Sequence, residues 1–305
     1  MDTVMELKIN GDKFLLTDSE HMIRNLEKKI SVTDDESEIY ELNHVKKAIL
    51  SDQSIDVLEG AIDVCNKTDG ALDISIYPVL KLWGFTTGEY NVPDSKMLDD
   101  MIENVDHSKI QINGNTVEIP ENMEIDLGSV AKGYTGTMVA DYLKENSVTS
   151  ALINLGGNVQ CIGSKPNGDP WNVAIKSPFF DSNSGIIGVL KASDEAIITS
   201  GGYERYFEQD GNIYWHILDP STGMPANNGI VSVTVVGENG LMCDGLSTAL
   251  FVMGLDDAIN YWKDNNESFD MIVITEDRKI YITDKLYDEF TLSSEYYNMN
   301  LTVIS

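Results

Sequence analysis

Basic residues are scarce in this chain: 21 Lys and Arg stand against 50 Asp and Glu, a formal net charge of −29. A surface of that sign repels nucleic acid and anionic membrane, and no basic patch is present to bind either. The acidity serves solubility or draws cations to a metal site, and a solvated surface is the simpler reading. Cysteine is scarce too. Cys65, Cys161 and Cys243 are odd in number, far apart and without CxxC spacing. That argues against a disulfide framework or a zinc knuckle and suits three small core residues. No apolar run approaches the roughly 18 residues needed to cross a bilayer. The opening MDTVMELKIN alternates like a strand and lacks both a basic n-region and an apolar h-region. No signal peptide is therefore expected in the sequence. A leader or anchor removed upstream would leave no trace in it.

What is present is an ordinary folded composition, 42% hydrophobic over 305 residues, enough for one large domain or two. No repeat, low-complexity segment or long linker marks a boundary, so one unit over 1–305 is expected. The pattern predicts strands over 3–9 and 13–17 joined by Asn10-Gly11-Asp12, and helices over 19–30 and 54–67, the second capped by Ser54. A hairpin is expected around Asn113-Gly114. A tight turn over 128–133 then leads into a helix reaching 146, with Tyr134, Met138, Val139 and Tyr142 buried. A strand follows over 150–154, and the strand–helix–strand order implies a parallel or mixed sheet. From Trp171 the chain reads mainly as β, with its clearest hairpin around Asp210-Gly211. Two helices are expected over 246–253 and 256–263, then a final hairpin over 269–283.

Chemistry concentrates in two segments. HILDPSTG (216–223) puts an imidazole at the end of an apolar strand, before a turn rich in Asp, Pro and Gly. Such turns on rigid strands are where sites collect, although a lone strand-end histidine is more often structural. His21, His44 and His107 lie in polar segments with no partner pattern. Asp219 can orient the imidazole or make an Asx-turn before Pro220, and the turn is the stronger role. In CDGLSTALFVMG (243–254), Asp244, Ser247 and Thr248 share one face of a helical turn. A carboxylate, a hydroxyl and a carbonyl there suit Mg²⁺ or Ca²⁺ and not zinc. An N-cap at Asp244 explains the same residues, and on spacing alone it ranks ahead. Gly128 to Gly133 brings backbone N–H groups and Lys132 to a helix N-terminus, a seat for phosphate, yet it is neither a P-loop nor GxGxxG. Asp73 is the one charge of an apolar run, a cap for the next helix or a ligand contact.

Taken together, MDT at the start, SEIYELN (37–43), GALD (70–73), LWGF (82–85), DLGSVAKGY (126–134), NLGGN (154–158), TSGGYERYF (199–207), HILDPSTGMP and DGLSTALFVMG resemble the ApbE-type flavin transferases, the FAD:protein FMN transferases. The resemblance covers nearly the whole chain and depends on the order and spacing of all these motifs. It implies an α+β fold, with central mixed or antiparallel sheets flanked by helices. It implies a Mg²⁺-dependent enzyme that splits FAD, joins FMN by a phosphoester to a threonine or serine of a partner flavoprotein, and releases AMP. Carried over by motif, Asp244, Thr248 and backbone oxygens of Ser247 and Ala131 would bind the metal, and His216 would be the base beside the pyrophosphate. Met1, Ala71, Leu72 and Asp73 would contact FAD, with Gly128 and Lys132 on the phosphate side. Two departures stand out. Thr33 replaces an aromatic expected against the flavin, so stacking there would come from elsewhere, with Tyr40 a candidate, or be weaker. MDT, which in the family follows an export signal or lipid anchor, here opens the chain. The acceptor would belong to membrane or extracytoplasmic electron transport, and the full-length protein would be anchored outside the cytoplasm unless this homologue lacks an anchor. FAD pyrophosphatase activity and a non-catalytic flavin carrier are the competing readings.

Overall fold

The sequence IVSVTVVG of Ile230–Gly237 is apolar at nearly every position because both faces of this strand are covered. It lies inside an eight-stranded sheet. The strand order is Met5–Ile9, Ala151–Leu155, Asn158–Ile162, Ala196–Gly201, Ile230–Gly237, Asp270–Thr275, Lys279–Thr283, Asn300–Ile304. The computed structural model describes residues 3–305. Met1, one of the expected ligand contacts, lies outside them. Side chains alternate between two cores, as the period of two requires. Val233, Val235, Met271 and Val273 pack on Leu246, Leu250 and Phe251 of helix Gly240–Met253. Val236, Ile272 and Ile274 pack the other way, on Val173, Ile175, Leu190 and Phe290 of a three-stranded sheet. The architecture is mixed α+β, as expected.

Several expectations need correction. Residues 13–17 are not a strand: they belong to the 17-residue helix Phe14–Ile30, and Met5–Ile9 pairs instead with Ala151–Leu155, Ile9 opposite Ala151. Leu15, Ser19, Ile23, Leu26 and Ile30 are its buried residues, so a 3.6-residue period begins directly after the turn. The large sheet is mixed, as expected, but the strand–helix–strand segment does not supply its parallel pair. Strand Thr116–Glu118 joins a separate small sheet with Lys47–Ile49 and Gln111–Asn113. Within the large sheet only Lys279–Thr283 and Asn300–Ile304 run parallel.

Helix Gly128–Glu145 buries Val139 as expected, but the rest of its inner face differs from the expected one. Val130, Ala131, Gly133, Thr135, Gly136, Val139, Ala140 and Leu143 face inward, while Tyr134, Met138 and Tyr142 are only half-buried. The small residues let the helix approach its neighbours closely, so size, and not apolarity alone, selected the inner face. The helix over 54–67 starts earlier, at Asp52, and Ser54 is inside it.

Candidate active site

Two helices cross at a pair of glycines. A Cβ on Gly133 would sit on the Gly240 carbonyl oxygen and 2.7 Å from Asp244 Cβ, and a Cβ on Gly240 would sit on the Gly133 carbonyl. The contact therefore admits only hydrogen at both positions. Helix Gly240–Met253 begins with Asn239, whose side chain accepts from Met242 N at 3.1 Å. Asp244 is therefore inside the helix, and the N-cap reading of it is wrong. Its carboxylate, 4% exposed, crosses to helix Gly128–Glu145 and accepts the Gly133 N–H at 2.8 Å. Burial raises its pKa, while Lys132, the Gly133 N–H and the Asn158 side chain pull the other way.

The hydroxyls next to Asp244 form a chain. Ser247 Oγ donates to the Asp244 carbonyl at 2.8 Å. Ser200 Oγ, from strand Ala196–Gly201, lies 2.7 Å from Ser247 Oγ and 3.1 Å from Thr248 Oγ1. The Ala131 carbonyl, another of the four expected metal ligands, accepts Thr135 Oγ1 at 2.6 Å.

The second half of the site comes from the hairpin Tyr206–Gln209/Asn212–Trp215. His216 follows it directly. Its backbone N–H donates to the Arg205 carbonyl at 3.1 Å and its ring Nδ1 donates to the same oxygen at 3.2 Å. A carbonyl only accepts, so the proton is on Nδ1 and Nε2 keeps a free lone pair. Burial lowers the imidazole pKa to about 4, with the Arg205 and Lys132 cations adding to it. Asp219 takes the turn role: Oδ1 accepts Ser221 N at 2.8 Å and Ser221 Oγ at 2.7 Å.

Lys132 couples the two halves, since its charge acts on Asp126, His216 and Asp244 alike. Asp126 accepts the Gly128 N–H at 2.9 Å, and burial raises its pKa against the pull of that bond, Arg205 and Lys132. Gly128 is the first residue of the helix, so the expected turn over 128–133 is the helix start itself. Two cations converging in so acidic a chain make a local seat for an anion.

The GALD segment meets the same helix from another side. Leu72 Cδ2 lies 3.2 Å from where a Gly245 Cβ would be, and the Leu72 side chain is spent on the core. Asp73 does not cap the following helix, whose N-cap is Ile76. It accepts Ser75 N at 2.8 Å, Ser75 Oγ at 2.6 Å, His107 N at 3.1 Å and His107 Nδ1 at 2.8 Å. His107, expected to be exposed and unpartnered, is thus paired, with its Nε2 3.1 Å from Asn66 Oδ1. His44 also has a partner, stacking on Tyr40 at 4.0 Å.

Sequence reasoning missed Ser200, Arg205, Asp126 and Asn158 as members of this site. All four lie within motifs already noticed (TSGGYERYF, DLGSVAKGY and NLGGN), which was the available signal. A groove of about 620 Å³ lies elsewhere, among Met22, Asp56, Tyr134, Met138 and Met242. Neither His216, Lys132, Arg205 and Asp126 nor the Asp244, Ser247, Thr248 and Ser200 cluster lines it, so chemistry and not cavity size locates the site.

The same arrangement of segments recurs in known proteins. Residues 1–273 match the model of the ApbE family. A Vibrio cholerae FAD:protein FMN transferase is 35% identical over 278 residues, 88% of this chain and 82% of that protein. The crystal structure of the ApbE protein from Thermotoga maritima superposes with a TM-score of 0.85 at 28% identity, covering 93% of this chain and 94% of that one. The flavin transferase ApbE from Vibrio cholerae gives a TM-score of 0.80 at 30% identity over 98% and 96% of the two chains. With the family model spanning most of its length and these relatives spanning its site segments, this chain belongs to the ApbE family.

Proposed function

We propose that this enzyme transfers FMN from FAD to a threonine or serine hydroxyl of an acceptor flavoprotein, with Mg²⁺, through a phosphoester bond. The acceptor oxygen forms a bond to the FMN-side phosphorus while the bond from that phosphorus to the bridging oxygen breaks. AMP leaves with the electron pair, and the hydroxyl proton passes to His216 Nε2. The observation that carries this reading is the His216 tautomer, fixed by the Arg205 carbonyl at 3.2 Å. It leaves a basic nitrogen beside the Lys132 and Arg205 cations. An alcohol is a weak nucleophile, and a positioned base of this kind speeds its attack.

The donor set fits Mg²⁺. Asp244, Thr248 and backbone oxygens offer only hard oxygen ligands, and a carboxylate as buried as Asp244 favours a cation beside it. Bound there, the ion would supply neutralisation of pyrophosphate charge. Lys132 and Arg205 would hold the phosphates, and Asp126 would keep the helix start in place through Gly128. Among the described residues no three His, Cys, Asp or Glu side chains gather to hold a metal. The phosphates themselves would therefore complete the coordination.

The acceptor we propose is a flavoprotein of membrane or extracytoplasmic electron transport, a reading that rests on family resemblance. The test is incubation with FAD, Mg²⁺ and candidate acceptors, followed by intact-mass analysis. A covalent FMN adduct on a threonine or serine supports transfer. Free FMN and AMP with no adduct on any acceptor would replace it with hydrolysis, and no turnover of FAD would leave a flavin carrier.

A further inference from the structure

A serine or threonine hydroxyl carries one proton, so a chain of hydroxyls has a direction once one end is fixed. Here the fixed end is the Asp244 carbonyl, which can only accept. Ser247 Oγ spends its proton there, at 2.8 Å. In the 2.7 Å contact between Ser200 and Ser247, Ser200 must then be the donor. That uses the only proton of Ser200, so in the 3.1 Å contact with Thr248 the donor is Thr248 Oγ1. Donor counting thus orients three hydroxyls from one backbone oxygen.

From this we infer that Ser200 is a positioning residue for the cation site, drawing the Thr248 proton inward so that Thr248 Oγ1 presents only lone pairs to a divalent cation. The inference rests on the metal-site reading above. A hydroxyl that coordinates a cation must direct its proton elsewhere, and partners that orient a ligand in this way affect affinity without touching the metal. Ser200 comes from the sheet, whereas Ser247 and Thr248 come from the helix packed on it. The relay therefore registers strand against helix at the point where the ligand is displayed. Among the described residues, Ser200 supplies the one hydroxyl contact of Thr248 Oγ1, so the strand and not the helix provides this orientation.

The test is Mn²⁺ titration of the full chain by electron paramagnetic resonance, with and without FAD, in Ser200→Ala, Thr248→Ala, Asp244→Ala and the Ser200→Ala/Thr248→Ala pair. Ser200→Ala is expected to weaken Mn²⁺ binding by on the order of tenfold. The double variant is expected to bind no more weakly than Thr248→Ala alone, since Ser200 acts through Thr248. Wild-type affinity in Ser200→Ala, or additive losses in the pair, overturns the relay while the metal site stands. Wild-type affinity in both Asp244→Ala and Thr248→Ala overturns the metal site, and the relay with it. Should Ser200→Ala not fold, Ser247→Ala tests the chain from its fixed end. Removing that hydroxyl frees the Ser200 proton to turn toward Thr248, and loosened Mn²⁺ binding is expected. Unchanged binding there overturns the relay.

Discussion

The Gly133 N–H reaches the Asp244 carboxylate at 2.8 Å across a helix crossing where a Cβ at position 133 would lie 2.7 Å from Asp244 Cβ. The same closeness that forbids a side chain makes the hydrogen bond. Gly133→Ala is therefore expected to cost about 3 kcal/mol, since overpacked backbone contacts cannot be relieved by rotamer change, and to displace the carboxylate. Gly136→Ala, on the same helix, is the control. Its Cβ would meet Gln160 Cβ at 3.5 Å, an ordinary contact, and alanine's helix propensity should stabilise by up to about 1 kcal/mol. Urea melts of the two variants check this, and equal stabilities would contradict the crossing geometry.

How far the sequence could be read depended on whether a feature was local. The turn at Asp219 was legible because the Asx bond to Ser221 is made within three residues. The N-cap reading of Asp244, ahead on spacing alone, failed because its partner, Gly133, is 111 residues away, and because the helix starts at Gly240 and not beside it. Lys13 was assigned to a strand because Asn10-Gly11 is good hairpin chemistry, but the buried positions from Leu15 to Ile30 recur at helical spacing, and that period prevailed. The hairpins around Asn113-Gly114, around Asp210-Gly211 and over 269–283 were legible from strand patterning and turn residues alone. The motifs that hold Ser200, Arg205 and Asp126 were visible, but which residue of each acts, and on what, is set only by the tertiary approach of sheet, hairpin and helix.

His216 should act as a base over a wide pH range. A pKa lowered to about 4 by burial, with Arg205 and Lys132 adding, leaves the imidazole neutral and competent above that value. The acid limb of kcat/KM attributable to it should thus fall near 4 in the free enzyme and not near 6.5. Arg205→Gln, which removes one of the cations lowering it, should shift that limb upward. His216→Ala should lose about a hundredfold to ten-thousandfold in kcat. Unchanged turnover in that variant would falsify the assignment of the base.

Asp73 and His107 form a pair whose titrations oppose each other. Burial alone would raise the Asp73 pKa, but the bonds from His107 and Ser75 outweigh it and leave it below the usual value. The bond to Asp73, against burial, raises His107 above 6.5. The His107 contribution to stability is complete below its unfolded pKa and is lost as pH rises through the raised folded one. That of Asp73 is present above its unfolded pKa and is lost as pH falls through the lowered one. The pair should therefore stabilise most between those limits, near pH 5 to 6. His107→Gln should cost about 2 kcal/mol there and less at pH 9. Denaturant melts at both values check this; a cost that does not change with pH would mean that the bond to Asp73 does not depend on the imidazole charge.

The cation and FAD should bind cooperatively. One buried carboxylate, a hydroxyl and backbone oxygens are too few strong ligands to hold Mg²⁺ tightly in water, because the ion gives up its hydration shell reluctantly. Phosphate oxygens beside Lys132 and Arg205 would add the missing charge, so each ligand should tighten the other by the same factor. A coupling of about tenfold to a hundredfold corresponds to roughly 1.4 to 2.7 kcal/mol. Calorimetric titration of Mg²⁺ with and without FAD, and of FAD with and without Mg²⁺, measures both arms of that cycle. Asp244→Asn should abolish the coupling while FAD alone still binds, because the cationic seat of Lys132 and Arg205 is left in place. Equal Mg²⁺ affinity in the presence and absence of FAD would show that the protein supplies the whole coordination shell by itself.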